Sequence, residues 1–255
     1  MRQFWLAVML PVALVGCSNE QSGNLATSEI GMNAEVQVLT DGSSRSAVAT
    51  VQLFEGKAPE PTGPGASLGY TRPVELTDGD SLFVQQGTRK AWLLETEVDG
   101  DVAYSGSLSG IDPYSPIYVQ LRRNNQQVDA FDSWITVPAD FQLIPNSVYS
   151  GRLNQDIELH WSQVSSSDVR YHYQLTCHFV DNFGTWQQET LDYVSAPESN
   201  TRTTVVSLPN LEFFDYCNGH VGVTVEVTGQ ADSNLYRTSS ISAVISKSRP
   251  VVLTP

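Results

Sequence analysis

Apolar and polar residues alternate over short runs along most of the chain, from Ala34 onward. In a strand, successive side chains point to opposite faces, so this period of two predicts strands that are buried on one side. Asp-Gly, Pro and Gly turns separate the runs, and we find no amphipathic helical pattern of ten residues or more. The pattern predicts an all-β protein.

The first half of the chain, residues 34–138, contains eight such runs. Between two of them Asp99-Gly100 predicts a type I′ hairpin, because both residues tolerate positive φ angles. Residues 57–69 hold three prolines and three glycines, which predicts a loop. We expect one β-sandwich from the strands Glu35–Thr40, Ala47–Glu55, Arg72–Thr77, Ser81–Gln85, Lys90–Val98, Val102–Leu108, Ile117–Arg123 and Asp129–Val137.

The second half, residues 141–255, has a more recognisable order of strands. A strand ending at Trp161 precedes one built on tyrosines and Cys177, and an apolar strand leads into Leu208-Pro209-Asn210-Leu211. A valine-rich strand and a serine-rich strand before Arg249-Pro250 follow. From about residue 145 this order resembles a fibronectin type III domain, which implies a second, immunoglobulin-like sandwich in tandem with the first. The chain departs from that family in its cysteine pair and in Phe213-Phe214-Asp215-Tyr216, where the family has a more regular corner tyrosine.

The N-terminus has the features of a secretory signal peptide over residues 1–16. Arg2 precedes an apolar run that is too short to span a bilayer as a helix. Leu14-Val15-Gly16-Cys17 resembles the lipobox of bacterial lipoproteins, which implies cleavage before Cys17 and acylation of that cysteine. Ser18 after it implies sorting to the outer membrane. The polar residues 17–33 predict a flexible tether; ordinary secretion, with Cys17 removed alongside the signal, is the alternative.

The two remaining cysteines, Cys177 and Cys217, lie in a chain that is expected to be exported, where disulfides persist. In a fibronectin-like order their strands would be antiparallel neighbours. Direct pairing of the cysteines then sets a register in which paired residue numbers sum to 394, with His220 opposite Gln174 and both pointing outward. We expect a disulfide; two separate buried thiols are the alternative.

Charge and motifs narrow the classes of ligand. The chain has 14 basic and 28 acidic residues, a net charge of −14, and no basic stripe, so we expect no nucleic-acid partner. The four histidines all lie in the second half, and the register places His172 diagonal to His220, about 7–8 Å away. No HExxH or CxxC element accompanies them, so a solvated sheet face is preferred over zinc.

Two acidic turns, Asp78-Gly79-Asp80 and Asp99-Gly100-Asp101, offer a calcium alternative. Neither continues into the spaced ligands of an EF-hand, and hairpin chemistry explains Asp-Gly equally well. We therefore expect no cofactor or metal. The Gly-x-Ser-x-Gly nucleophile motif is also absent, and we expect no enzyme, although a hydrolase or metal-dependent enzyme of the envelope stays an alternative.

Aromatic residues are the remaining candidates for function. Trp161 and Trp92 are expected in the core, whereas the faces of Trp134 and Trp186 are ambiguous. We expect Trp186 and Phe183 to project from a loop or edge, and the predicted ligand surface is Trp186, Phe183, His172 and His220. The sequence predicts an outer-membrane lipoprotein that serves as a non-catalytic binding or structural module for an envelope protein, with glycan binding as the alternative.

The lipid anchor gives the first testable prediction. We expect metabolic labelling with an alkyne fatty acid to label the wild-type protein, and the substitution Cys17→Ser to abolish the label, because that thiol is the proposed acylation site. Ser18→Ala should leave it unchanged. A Cys17→Ser protein that is still labelled would contradict lipidation at this position.

Overall fold

The computed structural model describes residues 19–41, 44–56, 72–77, 79–124, 126–144, 147–162, 168–199 and 202–255. The signal peptide, Cys17, the loop at 57–69 and Asp78 lie outside the described residues. Within the described ranges the chain forms strands and two short 3₁₀ turns, Ser22–Asn24 and Thr27–Glu29, with no α-helix. The predicted all-β class is confirmed. None of the helical segments in these ranges has the length and apolarity needed to cross a bilayer.

Nineteen strands are formed by the described residues. The strands up to residue 138 are β1 (Glu20–Gln21), β2 (Ile30–Asp41), β3 (Ser44–Glu55), β4 (Val74–Glu75), β5 (Ser81–Gln86), β6 (Arg89–Trp92), β7 (Leu94–Val98), β8 (Asp101–Ser109), β9 (Ile117–Arg122) and β10 (Ala130–Ile135). Those that follow are β11 (Leu143–Ile144), β12 (Tyr149–Arg152), β13 (Ile157–Trp161), β14 (Asp168–Val180), β15 (Trp186–Val194), β16 (Glu198–Ser199), β17 (Thr203–Val206), β18 (Tyr216–Thr228) and β19 (Ser240–Thr254).

One long sheet runs through both halves of the chain in the order β15-β14-β18-β19-β2-β3-β8-β7. The first half adds a four-stranded sheet, β10-β9-β5-β6, and the second half a three-stranded sheet, β11-β13-β17. The apolar positions of the alternating patterns are the buried ones, as in Val36 and Val84, and they join one apolar cluster. Sheets that bury one face and leave the other in water produce this alternation.

Strand β19 connects the two halves. Its residues Ser240–Ile245 pair in parallel with β2 on one edge, while Ser242–Leu253 pair with β18 on the other. Past the end of the pairing with β2, residues Val251–Thr254 of β19 pair in parallel with β12. The last strand therefore continues through Arg249-Pro250 to Thr254, instead of ending before that dipeptide as predicted. The long sheet is continuous across the boundary at 138–141.

The strand predicted over Lys90–Val98 is divided between two sheets. The chain leaves the four-stranded sheet after Trp92 and enters the long sheet at Leu94, with Leu93 buried between them. The hairpin that follows has the predicted turn, because Asp99 and Gly100 have φ angles of 54° and 89°.

The predicted disulfide and register are confirmed. Cys177 and Cys217 are directly opposite each other on β14 and β18, bonded and fully buried. The same register places His220 opposite Gln174, and both side chains are exposed, as expected.

The flexible tether expected over residues 17–33 is wrong from Glu20 onward. β1 pairs with β4, Ser22, Leu25 and Thr27 are buried, and β2 begins at Ile30, four residues before the predicted domain boundary. Polar side chains allow this segment to pack because their hydrogen bonds are satisfied in the interior.

A buried guanidinium explains how the segment is fixed. Arg123 donates from Nε to Asp80 Oδ2 at 2.8 Å, and from Nη2 to the carbonyl oxygens of Ser22 and Leu25 at 2.8 and 3.0 Å. Its Nη1 reaches the Thr27 hydroxyl at 3.2 Å. Both charged side chains are almost fully buried, so the pair depends on these hydrogen bonds.

Asp80 is saturated by the same network, which bears on the calcium alternative. Its carboxylate also accepts hydrogen bonds from the Ser22 hydroxyl at 2.8 Å and from the backbone of Asn124 at 2.6 Å. The carboxylate therefore has a structural role in this fold, as the counter-ion of Arg123.

We expect Arg123→Met to lower the free energy of unfolding by about 3–5 kcal/mol, because it leaves the Asp80 carboxylate buried without a partner. Urea denaturation followed by tryptophan fluorescence measures this. Arg122→Met, at the adjacent exposed position, is the matched control and should change stability by less than about 0.5 kcal/mol. Similar midpoints for the two variants would contradict the role of the network.

Candidate functional site

The predicted ligand residues lie on and around the outward face of β15, β14 and β18, which we call the β14 face. The outward residues of β14 are His172, Gln174, Thr176, His178 and Val180, and their direct partners on β15 are Val194, Asp192, Thr190, Gln188 and Trp186. On β18 the partners are Gly222, His220, Asn218 and Tyr216. The face is mostly polar, with its aromatic groups at one end.

Trp186 lies at that aromatic end, opposite Val180, and its side chain is 63% exposed. Phe183, in the adjoining turn, is 94% exposed. The turn is ordered by Asp181, whose Oδ1 accepts backbone hydrogen bonds from Phe183 and Thr185, both at 2.9 Å. These bonds, the Thr185 bond foremost, lower the pKa of Asp181. The structure thus places two large apolar side chains in water on a defined turn.

His178 and Tyr216 form a second aromatic group beside Trp186. Their rings stack with centroids 4.4 Å apart and an interplanar angle of 15°. They are the direct neighbours of the disulfide in both strands, so the covalent bond fixes the register at which they meet. The sequence analysis missed this pair, although 178 and 216 also sum to 394 and the predicted register contained it.

His172 and His220 lie further along the face. The His172 ring covers Gly222, where an added Cβ would be 2.6 Å from Nε2, and its Nδ1 is 3.4 Å from the Thr224 hydroxyl. Burial lowers the pKa of His172. Val180, which pairs with Trp186, is eight positions along β14 from His172, a distance of about 26 Å along the strand. The four predicted residues therefore do not form one site.

The structure brings no set of ligands together for the zinc or calcium alternatives within the described residues. Among the residues that the structure describes, no three His, Cys, Asp or Glu side chains come close enough to share an ion. His160 is on the three-stranded sheet, where its Nε2 is 3.2 Å from the Glu158 carboxylate.

A second set of aromatic residues lies on the outward side of the four-stranded sheet. This aromatic face consists of Phe83, Trp92, Tyr118, Phe131 and Trp134. Phe83 is at the centre, with the Trp92 ring at 5.5 Å and the Phe131 ring at 5.9 Å. The polar residues between the rings are Gln85, Lys90, Gln120 and Arg122.

The prediction that Trp92 belongs to the core is wrong, since its side chain is 51% exposed. It shares its face of β6 with Lys90, while Ala91 points inward opposite Val84. Aromatic residues on the outward face conceal the alternation, because both sides of the strand then appear apolar. The parity of Lys90 is the signal that would have placed Trp92 correctly.

One polar cavity of about 300 Å³ lies where the two halves meet, lined by residues that include Thr40, Asp140, Gln142 and Lys247. The Lys247 ammonium is 3.2 Å from the Asp140 carboxylate and hydrogen-bonds to the Thr40 hydroxyl. Its charged groups therefore neutralise each other, and the outward faces are better candidates for binding.

Comparison with known proteins finds no protein-family model that matches the chain and no curated protein that is significantly similar in sequence. The functional argument therefore rests on the β14 face and the aromatic face.

Histidine 172 provides a prediction from its lowered pKa. The folded state favours the neutral ring, so the unfolded state binds a proton more readily below the ordinary histidine pKa of about 6.5. We expect His172→Gln to lose less stability than the wild type between about pH 7.5 and about pH 5, measured by urea denaturation at each pH. An equal acid-induced loss in both proteins would contradict the assignment.

Proposed function

We propose that this protein is a lipid-anchored component of the bacterial outer membrane whose β-sandwich body is a non-catalytic binding module. The lipobox at Cys17 supports the anchor, and the ordered chain from Glu20 onward supports a folded body that begins close to it. The observation that carries the binding role is the exposed Trp186 beside the His178–Tyr216 stack on a rigid sheet.

The strand order of the second half supports an immunoglobulin-like sandwich of the fibronectin III kind. Three strands, β11-β13-β17, form one sheet, and β15-β14-β18-β19 form the other. In such sandwiches the core is shared by both inner faces, so outward faces and loops are free to vary for binding.

Rigidity makes the β14 face suitable for binding. The disulfide and the pairing of β14 on both edges fix the aromatic end before any partner arrives. A preorganised surface loses little conformational entropy on association, which improves affinity without new contacts. Exposed tryptophan and tyrosine rings supply the large buried area that dominates interface energies.

An envelope protein is the partner class that we propose for this face. The second candidate function is glycan binding, favoured by the exposed ring of Trp186 beside the polar side chains of Gln188 and His178. A sugar ring has both an apolar C–H face and hydroxyl groups, so it can use both kinds of side chain.

We expect in-cell crosslinking of the lipidated protein, followed by purification and mass spectrometry, to recover a specific protein partner. Trp186→Ala should reduce that recovery about tenfold, because it removes the exposed ring at the aromatic end of the face. Tyr114→Ala, which truncates a 92% exposed aromatic side chain in the first half, is the matched control and should retain the partner.

Two results would contradict the proposal. A partner recovered equally with Trp186→Ala would show that the β14 face is not used. Recovery of polysaccharide in place of protein, lost in the same variant, would establish the second candidate function instead.

A further inference from the structure

We propose that the aromatic face of the four-stranded sheet binds a strand of acidic polysaccharide. This face is on the first half of the chain and shares no residue with the β14 face. The inference therefore does not depend on which partner Trp186 contacts, although it agrees with the proposed role as an envelope binding module.

The exposed rings span the whole width of the sheet. Trp92 is on the edge strand β6 and Trp134 is on the opposite edge strand β10, where it is 37% exposed. Tyr118, directly opposite Trp134 on β9, lies between them and is half-buried. Three strand spacings of about 4.8 Å separate the edges, so the rings define a track about 15 Å wide.

The track is fixed in position at both ends. The backbone of Trp134 donates to and accepts from Gln230 at 2.8 and 2.9 Å, which ties β10 to the segment that precedes β19. At the other edge Trp92 packs on Phe83 in a T-shaped contact, an arrangement that aromatic pairs favour. A ligand therefore meets rings that are already oriented.

The polar residues of this face suit a carbohydrate. Across the four strands the rings are interspersed with Gln85 and Gln120, whose Nε2 groups donate to the backbone carbonyls of Gly87 and Phe131 at 2.9 and 2.8 Å, so both amides are held in position on the face. Pyranose rings offer C–H faces that stack on aromatic side chains and hydroxyl groups that hydrogen-bond to amides.

The charges of the face indicate that the polymer is acidic. The Lys90 ammonium lies 3.3 Å from the Phe83 ring centroid and 4.5 Å from that of Trp92, and Arg122 is exposed opposite Ser81. Within the described ranges neither cation forms an ion pair with a carboxylate. Asp132, on β10, is three strands from Lys90 and one strand from Arg122. Two cations that form no ion pair within the described ranges, on a chain of net charge −14, complement acidic groups along a polysaccharide.

Affinity electrophoresis of the full-length protein in mild detergent tests the inference. Native gels contain either alginate, an acidic polysaccharide, or hydroxyethyl cellulose, a neutral one, at about 0.15 M salt, where distant acidic residues of the protein are screened. We expect alginate to retard the wild type, and Trp92→Ala or Trp134→Ala to weaken binding about tenfold. Lys90→Gln should weaken it as well.

Trp186→Ala distinguishes the two faces, because it removes a tryptophan that is 63% exposed, compared with 51% for Trp92, from the β14 face. Retardation that persists in Trp186→Ala and is lost in Trp92→Ala supports the aromatic face. Retardation lost in Trp186→Ala alone would move the saccharide site to the β14 face and overturn the inference. Equal retardation by the neutral polymer would overturn the acidic assignment, and no retardation by alginate would overturn the whole inference. Unchanged thermal melting temperatures establish that each variant is folded.

Discussion

Backbone hydrogen bonds along both edges of β19 determine how the two halves of the chain are arranged. On one edge the strand pairs with β18, its neighbour in sequence, and on the other with β2, more than 200 residues earlier in the chain. The segment before it strengthens this connection, since the Asp232 backbone donates to the buried Ser133 hydroxyl and its carboxylate accepts from the Asp132 backbone. The β14 face therefore belongs to the sheet that contains β19, and the four-stranded sheet is attached to the segment that precedes β19. Such long-range pairing must wait for most of the chain, which slows folding.

The inward positions of the strands were predictable from sequence, and the arrangement of the sheets was not. Alternation identified buried residues such as Ile157, Leu159 and Val223 because each sheet has one wet face. The Asp99-Gly100 turn and the cysteine register depend on local chemistry and on parity, so they could also be predicted. Parallel pairing of β2 with β19 leaves no local trace, because neither strand carries a signal for its distant neighbour.

Two further differences between the predicted and observed structures have a common cause. Polar side chains are buried and an aromatic side chain is exposed, against the usual tendency of each type. Ser22 and Thr27 are small and polar, which indicated a tether, yet the Arg123 guanidinium makes their burial favourable. Trp92 is large and apolar, which indicated a core residue, yet it lies on the solvent-facing side of its sheet, where the Lys90 ammonium is 4.5 Å from its ring centroid. For the candidate sites, sequence could therefore name Trp186 as a candidate for the ligand surface, with its face left ambiguous, but could not show the aromatic face, which depends on four strands meeting in one sheet.

The Arg123 network also limits the length of chain between Cys17 and the folded body. With acyl chains on Cys17, three residues lead to Glu20 in β1, a contour of at most about 10 Å. A coil over the whole of residues 17–33 would have let the body explore a hemisphere of roughly twice that radius. If Cys17 is acylated as proposed, the folded body instead travels with its lipid at the bilayer surface, so that its encounters are largely with molecules at the same surface and diffusion in the membrane plane governs how often they meet.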